Sequence, residues 1–166
     1  MSSKNKGAKK QKPADGKRAT FSVANKRAYH EYHVLEKIRA GVVLTGTEIK
    51  SIRAGKVLIN QAFARVENGE MFIYGMNISP YEQGTHYNHE PNRKRKLLLK
   101  KSEITKLFAQ VREKGLTIVV LRLYFVRCWV KVDIGLCKGK QLHDKRAAIQ
   151  KKDVKRQIDR ALKSRD

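Results

Sequence analysis

Apolar sequence in this chain is confined to its middle, and that confinement limits what can fold. The first twenty residues (MSSKNKGAKKQKPADGKRAT) hold seven Lys/Arg and one Asp, a net of +6, with almost nothing to bury. Residues 138–166 hold eleven Lys/Arg and four Asp, a net of +7. The whole chain carries +23, so residues 21–137 keep about +10 alongside nearly all the apolar patterning. The expected organisation is a disordered basic arm at 1–20, a folded domain at 21–137 and a basic tail at 138–166. An excess of this size repels itself in the compact state unless a polyanion relieves it. A nucleic acid is therefore the expected partner.

Several classes are excluded by what the sequence lacks. Cys128 and Cys137 are the only cysteines and have no CxxC spacing, which signals neither a zinc site nor a disulfide framework. Each is expected as a lone buried thiol. The Lys-rich start has no apolar stretch behind it, and the apolar runs are short and cut by Lys or Arg. The expectation is a cytoplasmic protein with no membrane partner.

The middle reads as alternating short elements. A strand is expected from Tyr32 to Ile38, with Val42-Val43-Leu44 extending it past Gly41. Thr45 and Glu48 form a capping box for a helix that Gly55 ends, with Ile49 and Ile52 inward and Glu48, Lys50 and Arg53 outward. Asn68-Gly69 marks a hairpin between a strand in 57–66 and one at 71–74. Ser102 is the expected N-cap of a second helix ending at Gly115, with Ile104, Leu107, Phe108 and Val111 as its apolar stripe. Strands at 117–125 and 129–136 follow. About six strands and two helices favour a mainly β, antiparallel barrel with flanking helices, the oligonucleotide-binding kind among the options. In the tail, Val154, Ile158 and Leu162 repeat at i, i+4, i+8 between charged flanks, so the tail reads as disordered when free and helical against a partner.

Chemistry is sparse. His30 and His33 are spaced i, i+3, which would send them to opposite faces of a strand, and His86 and His89 lie in a loop with no cysteine nearby, so no metal or other cofactor is expected and the histidines read as surface or RNA-facing. Phosphate-loop, dinucleotide and nucleophile-elbow motifs are absent, and Glu31, Glu48 and Asp133 show no evident charged pair for acid–base work. No catalytic residue is assigned. Asn25-Lys26-Arg27-Ala28-Tyr29-His30-Glu31-Tyr32, in contrast, gathers cations, aromatics, a histidine and an amide, groups that hold phosphates and stack on bases. Arg93 to Lys96 and Lys138 with Lys140 add further cationic sites.

Four segments in order resemble one family. They are Asn25-Lys26-Arg27-Ala28-x-His30-Glu31-Tyr32, the run from Gly46 to Lys56, Arg95-Lys96-Leu97-Leu98-Leu99, and Lys138-Gly139-Lys140-Gln141-Leu142-His143-Asp144-Lys145-Arg146. Together they resemble SmpB, the SsrA-binding protein family of bacteria. The resemblance implies an oligonucleotide-binding-type barrel that holds the tRNA-like domain of transfer-messenger RNA. It further implies delivery to stalled ribosomes with elongation factor Tu and GTP, the factor engaged through the RNA, by a monomeric, non-catalytic protein. The basic tail would enter the empty messenger channel by the decoding centre and become helical. The RNA-binding set is then Asn25, Lys26, Arg27, His30, Tyr32, Lys50, Arg53, Arg95, Lys96, Leu98 and Lys138. The ribosome-contacting set is Gly139, Lys140, His143, Asp144, Lys145, Arg146, Ala161 and Leu162. Two departures stand out: Arg39 occupies a position more often acidic in the family, and Val126-Arg127-Cys128 replaces a more usual Asn- or Gly-containing turn. A constitutive ribosomal coat protein and a ribonuclease are the rival readings.

Overall fold

A computed structural model describes residues 21–84 and 88–141, together with Asp144, Arg146, Val154 and 156–158 in the tail. Nine strands and three helices form between residues 21 and 141. In chain order they are β1 (Ser22–Ala24), α1 (Lys26–Glu31), β2 (Tyr32–Val42), α2 (Gly46–Arg53), β3 (Val57–Leu58), β4 (Phe63–Glu67), β5 (Glu70–Tyr74), β6 (Asn77–Ile78), β7 (Arg95–Leu98), α3 (Lys101–Lys114), β8 (Thr117–Val126) and β9 (Trp129–Gly139). The main sheet runs β1-β8-β4-β5-β7-β2-β9, all neighbours antiparallel, and β9 also pairs with β8. Six strands therefore close into a ring, with β1 added alongside β8. Closure leaves those six without a free edge. The short β3–β6 pair stands apart.

Local chemistry explains most boundaries. Asn68 and Gly69 take φ of 50° and 76°, the two left-handed positions a two-residue β4–β5 hairpin requires. The β8–β9 turn needs one such residue, and Arg127 supplies it at φ 54°. In α2, Glu48 accepts from the Thr45 backbone N–H at 2.8 Å, completing the expected capping box. For α3 the N-cap is two residues earlier than Ser102: Lys100 takes that position, and Glu103 reaches back to accept from its N–H at 2.9 Å. Gly115 closes that helix at φ 59°. The helix α1 was not foreseen; its six residues were read only as an RNA-facing cluster.

The ring interior holds Ile52, Met71, Ile73, Leu97, Leu107, Ile118, Val120, Leu123 and Ile134 among others. A second cluster, Ala28, Val119, Leu121 and Cys137, lies beneath α1. Strand β8 thus buries both faces over Ile118–Leu121, which is why its sequence is a continuous apolar run. Gly135 is required there, since a Cβ would stand 2.8 Å from Leu121 Cδ1. The α3 stripe is only partly used: Ile104 and Leu107 are buried, while Phe108 is exposed. Cys137 is buried and Cys128 exposed, so the two thiols differ from the shared burial expected.

The largest departure from expectation is electrostatic. Glu48, expected outside, is fully buried, and so is Arg95; Arg95 Nε donates to Glu48 Oε1 at 2.8 Å. Arg93 Nε donates to the same oxygen at 2.8 Å. The remaining Arg95 donors reach the Met76, Arg93 and Pro91 carbonyls at 2.6, 3.0 and 2.9 Å. Burial opposes the Glu48 charge, but Arg93, the Thr45 N–H and Arg95 outweigh it and hold the carboxyl below its usual 4.5. Burial likewise pulls Arg95 down against the pull of Glu48. Glu48→Gln leaves Arg95 buried without its counter-charge, and should cost about 3 kcal/mol in urea unfolding at neutral pH. Because the folded Glu48 pKa is depressed, its contribution is complete above the unfolded carboxylate range and is lost as pH falls through the folded value. The gap between variant and wild type should therefore narrow below about pH 4. A pH-independent gap would contradict the assignment.

Candidate nucleic-acid interface

The helix α1 is too short to persist alone and is held by one side chain. Asn25 is completely buried. Its Oδ1 accepts from the Ala28 N–H at 2.9 Å, capping the helix. Its Nδ2 donates to Val120 O at 2.9 Å and Ile59 O at 3.0 Å, and its backbone N–H donates to Leu121 O at 2.8 Å. Asn25 was expected to touch RNA; with its amide enclosed, it fixes α1 on β8 instead. With Ala28 facing inward, Lys26, Arg27, Tyr29 and His30 are left on the exposed side.

The end of β9 returns to this helix. His33 pairs with Lys138 and Tyr32 with Gly139 in the β2–β9 ladder, so Lys138 and Gly139 are strand residues. Lys140 N–H donates to Glu31 O at 2.9 Å, and Lys140 Nζ to Tyr29 O at 2.9 Å. One rim therefore collects Lys26, Arg27, His30, His33, Lys138 and Lys140. Arg27 is salt-bridged to Glu31 at 2.7 Å, which raises its already high pKa, yet its side chain stays half exposed. Tyr32 is partly buried, lining a cleft of about 300 Å³ with Arg27, Glu31, Asn60 and Gln61. Such a surface offers phosphate-binding cations around an opening large enough for part of a nucleotide.

Other expected residues lie elsewhere. Lys50 and Arg53 are exposed on α2, Lys50 at 5.1 Å from the Tyr81 ring centroid and Arg53 at 5.8 Å from that of Phe125. Lys96 is half exposed and paired with Glu70, and Leu98 is exposed beside Gly41. Arg95 belongs to the interior and has no surface to offer RNA. Glu31 and Asp133 are also partnered, by Arg27 and by Arg39 at 3.8 Å. His89 is not a surface histidine: it is buried, 3.0 Å from both Thr47 Oγ1 and Ile78 O. His86, and in the tail His143, Lys145, Ala161 and Leu162, lie outside the described residues, as does the 1–20 arm. Asp144 and Arg146 are described and helical, as are Val154 and 156–158. Among the described residues, no cluster of three or more His, Cys, Asp and Glu could hold a metal, and no helix is long and apolar enough to cross a membrane.

Sequence reasoning missed Lys37, and it left His33 and Tyr29 out of the RNA-binding set although it read them as RNA-facing or base-stacking candidates. Lys37 Nζ lies 5.3 Å from the Tyr29 ring centroid. The signal for Lys37 was available, because residues 37 and 39 are exposed on either side of half-buried Ile38 on β2; the irregularity between Val34 and Glu36 carries His33, opposite Lys138, to the other face of the strand. Asn25→Ala should cost about 2 kcal/mol in urea unfolding, through the lost cap and two unsatisfied carbonyls. Lys26→Ala, which removes only an exposed side chain, should leave stability unchanged. Equal stabilities for the two variants would remove Asn25 from its structural role.

Comparison with known proteins agrees with this geometry. A family model described as SmpB protein matches residues 22–164. An SsrA-binding protein of Carboxydothermus hydrogenoformans is 55% identical over 141 residues, covering 85% of this chain and 95% of the relative. Another, from Geotalea uraniireducens, is 55% identical over 142 residues, covering 86% and 94%. A solved chain described as "tmRNA-SmpB: a journey to the center of the bacterial ribosome" has a TM-score of 0.62 and 46% identity, covering 78% of this chain and 94% of that one. With a closed antiparallel ring, a cationic rim and a match across nearly all of its length, this chain belongs to the SmpB family of SsrA-binding proteins.

Proposed function

We propose that this protein is the RNA-binding adaptor of trans-translation: it holds the tRNA-like domain of transfer-messenger RNA and brings it to stalled ribosomes. The observation that carries this reading is the single rim where α1 and the end of β9 meet, in a chain whose relatives are named for SsrA binding. Lys26, Arg27, His30, Tyr32 and Lys138 supply its RNA contacts, with Lys50, Arg53, Lys96 and Leu98 as outlying ones. The protein catalyses nothing itself. It works as a monomer in the cytoplasm, and elongation factor Tu with GTP joins through the RNA.

The two bonds from Lys140 fix the point where the tail leaves the body. Gly139 and Lys140 therefore set the tail's direction. His143, Asp144, Lys145, Arg146, Ala161 and Leu162 then reach the decoding centre and the empty messenger channel. A histidine stacks on bases, and the two cations meet ribosomal phosphate.

If about six cations meet phosphates, affinity should fall about 10³-fold between 50 and 200 mM salt. At moderate salt, transfer-messenger RNA should outcompete ordinary tRNA in a filter-binding competition. Equal affinity would reduce the protein to a general RNA coat. Removing residues 141–166 should leave RNA affinity intact while abolishing peptide tagging in a reconstituted translation system. Loss of both together would refute the separation of body and tail.

A further inference from the structure

The start of the tail is held by contacts from both faces of β2. His33 stands opposite Lys138, and Glu36 opposite Leu136, so His33, Glu36 and Lys138 share the strand face turned away from α1. Val34 and Cys137 fill the other face, beneath α1. Lys140 pins the tail to α1, its N–H donating to Glu31 O and its Nζ to Tyr29 O, each at 2.9 Å. From the opposite face His33 meets it, with Nε2 3.5 Å from Asp144 Oδ2. Lys138 and Glu36 are the charged neighbours of His33 on that face, and Glu36 is engaged by Lys106 of α3 at 3.0 Å.

The same Asp144 oxygen accepts from the Gln141 N–H at 3.3 Å. A carboxylate reaching back three residues to a backbone N–H is the closing half of a capping box, a device that starts helices. Asp144 and Arg146 are helical, in keeping with it. Starting a helix is the costly step, because a whole turn is fixed before its hydrogen bonds repay the ordering. Here the turn is tied at Lys140 and again at Asp144, four residues on, so the loop between the ties is short and closes cheaply. A single exposed ion pair holds little by itself. This one acts on a segment whose near end is already set by the strand ladder and by Lys140.

We propose that His33 is a positioning residue for the tail: through Asp144 it seeds the tail helix on the protein's own body, so that the helix is begun and aimed before a ribosome is met. This rests on the reading of the tail as the ribosome-contacting part, and it gives Asp144 work inside the chain ahead of that contact. A helix seeded in place has less order to gain on binding, which preserves affinity that ordering would otherwise consume.

The Arg146 Cα chemical shift, in labelled full-length protein free of RNA, reads the seeded turn. It should be helical in the wild type, move toward the random-coil value in His33→Ala, and move further in Asp144→Ala, which loses the cap as well. With Asp144 already replaced, His33→Ala should change it no more. His33→Lys keeps a cation beside the carboxylate and should restore most of the shift, whereas His33→Phe, which keeps only a ring, should not. In reconstituted translation with saturating transfer-messenger RNA, His33→Ala should slow peptide tagging about threefold and His33→Lys should recover it. Saturation removes any change in RNA affinity from that rate. A random-coil Arg146 in the wild type, an unchanged shift in His33→Ala, or a His33→Ala effect of equal size with and without Asp144 overturns the latch. Wild-type tagging by His33→Ala overturns its aiming role. Failure of the wild-type protein to support tagging overturns the adaptor reading instead, and leaves the latch, seen in the free protein, standing.

Discussion

The buried pair of Arg95 and Glu48 is the constraint on which the surface depends. Charges fully removed from water persist only when their hydrogen-bonding capacity is met, and here Arg95 finds a carboxylate and three carbonyls. The pair ties α2 to β7 and to the connection around Met76 and Pro91. It also sets the register of β7. With Arg95 pointing in, the period of two places Leu97 in the core and turns Lys96 and Leu98 outward. One interior ion pair thus decides which side of β7 solvent sees.

Asn25 plays a comparable part beneath α1. It satisfies a helix N-terminus and two strand or loop carbonyls with a single amide, so that six residues form a helix they could not hold alone. The cations of α1 stand on a backbone fixed by a group enclosed in the interior. Both cases invert a sequence-level assumption: polar residues in the basic motifs were read as RNA ligands, and two of them hold the scaffold.

These cases show where the sequence was legible. The α2 capping box, the Asn68-Gly69 hairpin and the Gly115 stop rest on neighbours within a few residues, and local chemistry specifies them. The closed antiparallel ring followed from element count and from alternation such as Val130, Val132 and Ile134. What stayed hidden depends on partners far apart in the chain: Glu48 with Arg95 across 47 residues, Asn25 with Val120 across 95. A cation inside a run such as Arg93-Lys94-Arg95-Lys96 looks the same in sequence whether it faces water or a carboxylate. Only the register of β7 separates Arg95 from its neighbours.

The distribution of charge gains a physical meaning from that separation. Several cations within the body are held in place, by Glu31 for Arg27, Glu48 for Arg93 and Arg95, Glu67 for Lys94 and Glu70 for Lys96. Partnered cations bind phosphate less strongly, since the new contact competes with an existing one. They are also already ordered, so less side-chain freedom is lost on binding. The body is thereby suited to reading the shape of a folded RNA, where placement matters more than raw attraction. Residues 138–166 carry +7 over twenty-nine residues, a density suited to following phosphate along a channel. In the body, carboxylates on α1, α2, β4 and β5 set these cations in place before any RNA arrives.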